Sequence, residues 1–148
     1  METETHAATG GAPPPILLVE DNPADARLAR EAFREIGLAD AIRHVPDGVE
    51  ALAYLRRCAA ERAWPRLVLL DLNLPRKDGR EVLAEIKADP RLRGLPVIVL
   101  STSVAEQDIQ QCYALHANGF VAKPVDLEHF EKVARAISLF WLEVAELP

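Results

Sequence analysis

Cysteine is scarce in this chain: Cys58 and Cys112 are the only two, with no CxxC spacing and no histidine pair beside them. This excludes a disulfide framework and a zinc site of ordinary ligand spacing. It reads as two reduced thiols on helices of a cytosolic protein. Basic blocks are missing too, and acids and bases interleave to a net charge of −6, which argues against nucleic acid as a direct partner. No apolar run is long enough to span a bilayer, so no membrane partner is expected. The start, METETHAATGGAPPP, has neither the basic opening nor the apolar centre of a signal peptide.

What is present suits one soluble α/β domain. The 148 residues, 49% hydrophobic and 27% charged, suffice for one core and are short for two. Residues 1–14 read as a disordered tail ending in prolines, and residues 15–148 as the domain. Apolar runs alternate with helix-like segments five times. The runs are ILLV (16–19), AIRHV (41–45), RLVLL (66–70), PVIVL (96–100) and GFVA (119–122). Three are continuous in Val, Ile and Leu, as expected of strands covered on both faces. Between them, Leu28, Ala32, Phe33 and Ile36 share a helical face, with Asn22 and Pro23 at its start and Gly37 at its end. Further helices are expected over about 49–60, around Val82, Leu83 and Ile86, over about 105–116, and from Asp126 almost to the end. Strand and helix in alternation imply a parallel sheet with helices on both faces, and a ligand crevice beyond the carboxyl ends of the strands.

The residues past those strand runs are not what packing requires. Glu20 and Asp21 follow the first run, Asp71 the third, Ser101 to Ser103 the fourth, and Lys123 and Pro124 the fifth. In a sheet of order 2-1-3-4-5 the first and third strands are neighbours, so three carboxylates converge beside a hydroxyl and an ammonium. Carboxylates so placed repel each other unless a cation joins them. An all-oxygen set with room for water suits Mg²⁺. Lys123 and Ser101 can hold phosphoryl oxygens, and Asp71, at the centre, can act as a nucleophile and carry an aspartyl-phosphate.

The motifs LLVEDN, VLLDLNLPRKDG, PVIVLSTS and GFVAKP, with PDGVEAL as a weaker fifth, resemble the receiver domain of two-component response regulators over about residues 15–142. The resemblance implies a flavodoxin-like (βα)5 fold with strand order 2-1-3-4-5. It makes Asp71 the phosphoacceptor for a kinase phosphohistidine, with Mg²⁺ bound by Asp21, by Asp71, by the Asn73 carbonyl and by Glu20 mainly through water. It makes Lys123 the phosphate-contacting lysine, Ser101 the switch hydroxyl and Phe120 the switch aromatic, with output through the α4-β5-α5 face. A cis Lys123–Pro124 peptide is also expected. Glu20 stands where aspartate is commoner, Ser101 where threonine is, and Thr102 where a small residue is. Such a protein is a signalling phosphoacceptor that catalyses its own phosphotransfer and dephosphorylation, rather than an enzyme.

The last helix carries two apolar stripes. Leu127, Phe130, Ala134, Ile137 and Trp141 face the core. Val133, Phe140, Val144 and Leu147 exceed what a solvent face should carry and predict a homodimer. The ending ISLFWLEVAELP, with LSTS and RRCAAERAWP, resembles the single-domain regulators paired with phytochrome-type histidine kinases. No DNA-binding output segment is expected, so output runs through protein contact. His44, His116 and His129 are read as ordinary histidines sharing no site with the acids. A haloacid-dehalogenase-type phosphatase also uses an aspartyl nucleophile, but needs a general acid where Asn73 stands. A non-phosphorylated dimeric scaffold is the other alternative, and it would not need both Asp71 and Lys123.

Overall fold

The computed structural model describes residues 13–147, so the expected N-terminal tail lies almost wholly outside the described residues. Five strands, β1 Ile16–Val19, β2 Ile42–Val45, β3 Leu67–Asp71, β4 Val97–Ser101 and β5 Gly119–Ala122, form one sheet of order β2-β1-β3-β4-β5. All four pairings are parallel. The helices are α1 Pro23–Glu35, α2 Gly48–Glu61, α3 Gly79–Ala88, α4 Glu106–Ala114 and α5 Leu127–Ile137. This is the doubly wound, flavodoxin-like arrangement expected from the sequence.

Side-chain alternation along the strands splits the core in two. Leu17, Val19, Val68, Leu70, Val97 and Val99 face α2, α3 and α4 on one side of the sheet. Ile16, Leu18, Leu67, Leu69, Ile98 and Leu100 face α1 and α5 on the other. Both faces are covered, which is why the runs are continuous rather than alternating.

Turns at the carboxyl ends of the strands are set by short polar side chains. Asn22 Oδ1 accepts the N–H groups of Ala24 (2.9 Å) and Asp25 (3.1 Å), and Pro23 occupies the first helical position. Asp47 caps α2 through the Glu50 N–H, Asp78 and Glu81 form a capping box on α3, and Asp126 caps α5 through the His129 N–H. Gly37, at φ 83°, ends α1 in the left-handed region as its place in the sequence suggested.

Two expectations need correction. No cis peptide occurs among the described residues, so Lys123–Pro124 is trans. There the Lys123 N–H donates to the Ser101 carbonyl at 2.8 Å, and Asp126 is extended as it caps α5. The last helix does reach Val144, but from Ser138 onward it is a π-helix. A wider turn breaks the 3.6-residue period that the second apolar stripe assumes. Phe140 and Val144 are 51% and 57% exposed. Val133 instead packs partly on the core, and Leu147 reaches a groove beside Trp64, Pro65 and Pro96. Among the described residues no helix is long and apolar enough to cross a membrane.

Gly79 opens α3 directly behind the end of β3. A Cβ there would overlap the Asp71 carbonyl oxygen and lie 2.6 Å from Leu72 Cα, both backbone atoms that cannot swing aside. Gly79→Ala should therefore cost about 1–3 kcal/mol by overpacking, read as a lower denaturant midpoint with an unchanged slope.

Candidate functional site

Register decides which strand ends meet. Val19 pairs with Leu70 in the sheet, so the next residues, Glu20 and Asp71, leave adjacent strands at the same level. Ser101 pairs with Ala122, the last residue of β5, so Lys123 leaves the sheet one residue beyond the level of Ser101. One ligand oxygen from each of Glu20, Asp21 and Asp71 lies within 4.8 Å of the others. Glu20 and Asp71 are buried and Asp21 is exposed, so the cluster opens to solvent on one side.

Lys123 holds the buried part together. Its Nζ lies 2.7 Å from Glu20 Oε1, 2.9 Å from Asp25 Oδ2 and 3.4 Å from Asp71 Oδ2. The Lys123, Glu20 and Asp71 side chains are only 7%, 3% and 6% exposed. Burial works against the ammonium, but Glu20, Asp25 and Asp71 outweigh it and raise the Lys123 pKa. Burial also pushes the Glu20 carboxyl up to about 7; Lys123 and the Asn22 N–H pull against that rise, and the charge on Asp71 adds to it. Three acids thus face one ammonium, with Asp21 beside them, and the remaining negative charge calls for a further cation.

The donor set fits a hard divalent ion. It is all oxygen, its carboxylates converge, and its open side leaves room for water and a phosphate oxygen, as Mg²⁺ requires. Asn73 stands two residues after Asp71: its N–H donates to Asp71 Oδ1 at 3.3 Å, which keeps this residue beside the cluster. Ser101 is buried at 1% exposure, and its Oγ accepts the Ser103 N–H at 3.1 Å. Thr102 is exposed. Phe120 is half-buried on β5, packed against the α2-α3-α4 side of the core.

Several participants escape a reading of the sequence. Asp25 reaches Lys123 from the first turn of α1, across the fold from β5. His44 departs from its expected role: its Nε2 lies 2.7 Å from the Glu20 carbonyl oxygen, so this histidine does touch the acidic loop. His129 instead bonds its own cap, Asp126. Arg76 Nη1 donates to the buried Asp47 at 2.9 Å, joining the loop after β3 to the start of α2. Lys77 pairs with Glu85, which also receives Arg56.

Lys123→Met leaves buried carboxylates without their cation, a change that costs about 3–5 kcal/mol when one partner of a buried pair is lost. Thermal unfolding in a chelator should show that loss, and added Mg²⁺ should recover much of it by neutralising the same oxygens.

The chain's similarities to known proteins agree with this geometry. Residues 16–135 match the response regulator receiver domain family. The response regulator Rcp1 of Synechocystis sp. is 45% identical over 138 residues, covering 92% of this chain and 94% of Rcp1. The structure of the phosphorylated cyanobacterial phytochrome response regulator RcpA superposes with a TM-score of 0.82 at 50% identity, covering 93% of this chain and 99% of that one. The Mn²⁺-bound form of Rcp1 superposes with a TM-score of 0.78 at 45% identity, covering 90% of this chain and 97% of that one. With the doubly wound sheet and the carboxylate cluster at its strand ends, these similarities establish that the chain belongs to the response regulator receiver domain family.

Proposed function

We propose that Asp71 accepts a phosphoryl group from the phosphohistidine of a sensor histidine kinase, and that the chain signals through the change this causes. The observation that carries the reading is the buried Lys123 ammonium, 2.7 Å from Glu20 and 3.4 Å from Asp71, in a crevice open to a ligand. An Asp71 oxygen attacks phosphorus as the phosphorus–nitrogen bond breaks, and the electron pair stays on the imidazole nitrogen. Lys123 meets one phosphoryl oxygen, and Ser101 donates its hydroxyl hydrogen to another. Mg²⁺, held by Asp21, Asp71, the Asn73 carbonyl and Glu20 through water, would offset charge on the phosphoryl oxygens. The same groups later admit water, so the chain reverses its own modification. Phe120 turns inward as Ser101 is drawn toward the phosphoryl group, which alters the surface of α4, β5 and α5.

Residues 15–148 act as the receiver with its lengthened last helix, and residues 1–14 as a tail. RcpA is a phytochrome response regulator, and the similarity to it supports a phytochrome-type kinase as the partner of this chain. A homodimer through the last helix is supported by the exposed Phe140 and Val144, with Val133 and Leu147 at the margins of the contact. Nothing in the charge pattern favours direct contact with nucleic acid.

With Mg²⁺ and a small acyl-phosphate donor, one acid-stable, hydroxylamine-labile phosphoryl group per chain should form, and Asp71→Asn should abolish it. Uptake at an unchanged rate by Asp71→Asn would sink the assignment. For the dimer, Phe140→Glu should lower the solution mass to that of a monomer; a dimer-sized mass in that variant counts against this interface.

A further inference from the structure

Among the five α-helices described, α4 is the most weakly anchored. Cys112 is its one buried residue, and its N-cap, Ala105, has no side-chain oxygen to offer. The other four α-helices are capped by Asn22, Asp47, Asp78 and Asp126. What α4 has instead is a chain of polar contacts starting on α3. Arg80 Nε donates to Gln111 Oε1 at 2.9 Å, and its Nη2 to Asp108 Oδ1 at 3.3 Å. A third contact, from Nη1 to Asp78 Oδ2 at 3.5 Å, holds the guanidinium over the start of its own helix.

Beyond Asp108 the chain of contacts continues toward the site. Ser103 Oγ donates to Asp108 Oδ2 at 2.7 Å, and the Ser103 N–H donates to Ser101 Oγ at 3.1 Å. The Ser103 hydroxyl, with help from Arg80, holds the Asp108 carboxyl below its usual range. Arg80 and Asp108 side chains are 27% and 20% exposed, so solvent and salt screen this pair less than an open surface pair.

We infer that Arg80, Asp108 and Ser103 are positioning residues: they hold the β4–α4 loop so that the Ser101 hydroxyl stays engaged with Ser103, and so set how readily the switch turns. The inference rests on the phosphoacceptor reading, because the position of Ser101 matters to output only if Asp71 carries a phosphoryl group. When Ser101 turns its hydroxyl toward a phosphoryl oxygen, the Ser103 N–H must follow its acceptor or lose it. Ser103 is tied to Asp108, and Asp108 to Arg80, so that movement is resisted in the resting state. By the same contacts it is passed to α4, which has little apolar packing to oppose it. Releasing the tie makes Ser101 freer and α4 less responsive.

The test uses the full chain with Arg80→Ala, Asp108→Asn and Ser103→Ala, and with Gln111→Ala as a comparison. Two quantities are read: hydrogen exchange at the Ser103 amide without phosphate, and the initial rate of phosphorylation by acetyl phosphate with Mg²⁺. The first three variants should exchange faster and label about fivefold or more faster, the scale of one lost ordinary hydrogen bond. The Arg80→Ala/Asp108→Asn double variant should do no more than the larger single one, since both break the same tie. Gln111→Ala, which leaves Asp108 paired, should stay near wild type in both readouts. Should Arg80→Ala fold poorly, Asp108→Asn and Ser103→Ala still decide the matter. Labelling that is unchanged or slower in those variants, with a normally labelled wild type, overturns the tie. A wild-type chain that takes no label at Asp71 overturns the phosphoacceptor reading and the inference with it.

Discussion

The Lys123 ammonium, buried among the carboxylates of Glu20, Asp71 and Asp25, is the contact on which the crevice depends. A lone lysine or glutamate at this depth would be driven neutral by desolvation. Here each charged group is tolerated because the others are present, and they meet because β1, β3 and β5 run parallel and end at the same edge of one sheet. The balance of charge is incomplete: the acids outnumber the ammonium and leave negative potential at the open side where Asp21 stands. A divalent cation at the open side would offset most of that excess. The features that would trouble a purely structural core are the ones that make this crevice reactive.

Around that cluster, the loops are held by contacts that leave little slack. Gly79 lets α3 begin against the Asp71 carbonyl, and Gly48 lets α2 begin close to Lys77 and Val82. Arg76 reaches back to Asp47, so the cap of α2 and the loop after β3 constrain one another. His44 on the edge strand supports the carbonyl of Glu20. On the β4 side the restraint differs in kind. Ser101, Ser103, Asp108 and Arg80 are linked by hydrogen bonds beneath a helix with a single buried side chain. The rigid side carries the acids and the looser side carries the Ser101 hydroxyl, which is the division a signalling domain needs.

Much of this arrangement is legible in the amino-acid sequence. Continuous Val, Ile and Leu runs mark the strands within about a residue, because a strand buried on both faces has no polar positions to blur its limits. Glu20, Asp21, Asp71, Ser101 and Lys123 stand out because a parallel sheet places its crevice at those strand ends. Asn22, Pro23 and Gly37 announce the limits of α1 through preferences that act within one turn. Less of the last helix is legible. Its two stripes assume an ordinary period, and the π-helical turns from Ser138 change which residues share a face.

What the sequence determined by itself was local and periodic: strand and helix, cap and turn, and the chemistry standing at each strand end. Tertiary structure decided which distant groups meet. Asp25 and Glu20 share one ammonium, His44 reaches the Glu20 carbonyl, and Arg80 reaches α4 from α3, all across folds of the chain. It also left the Lys123–Pro124 peptide trans, where family likeness had pointed to cis. The physical reason is the same in each case. A side chain's propensity is read from its neighbours in sequence, whereas its partner is chosen by register and packing, which no single segment contains.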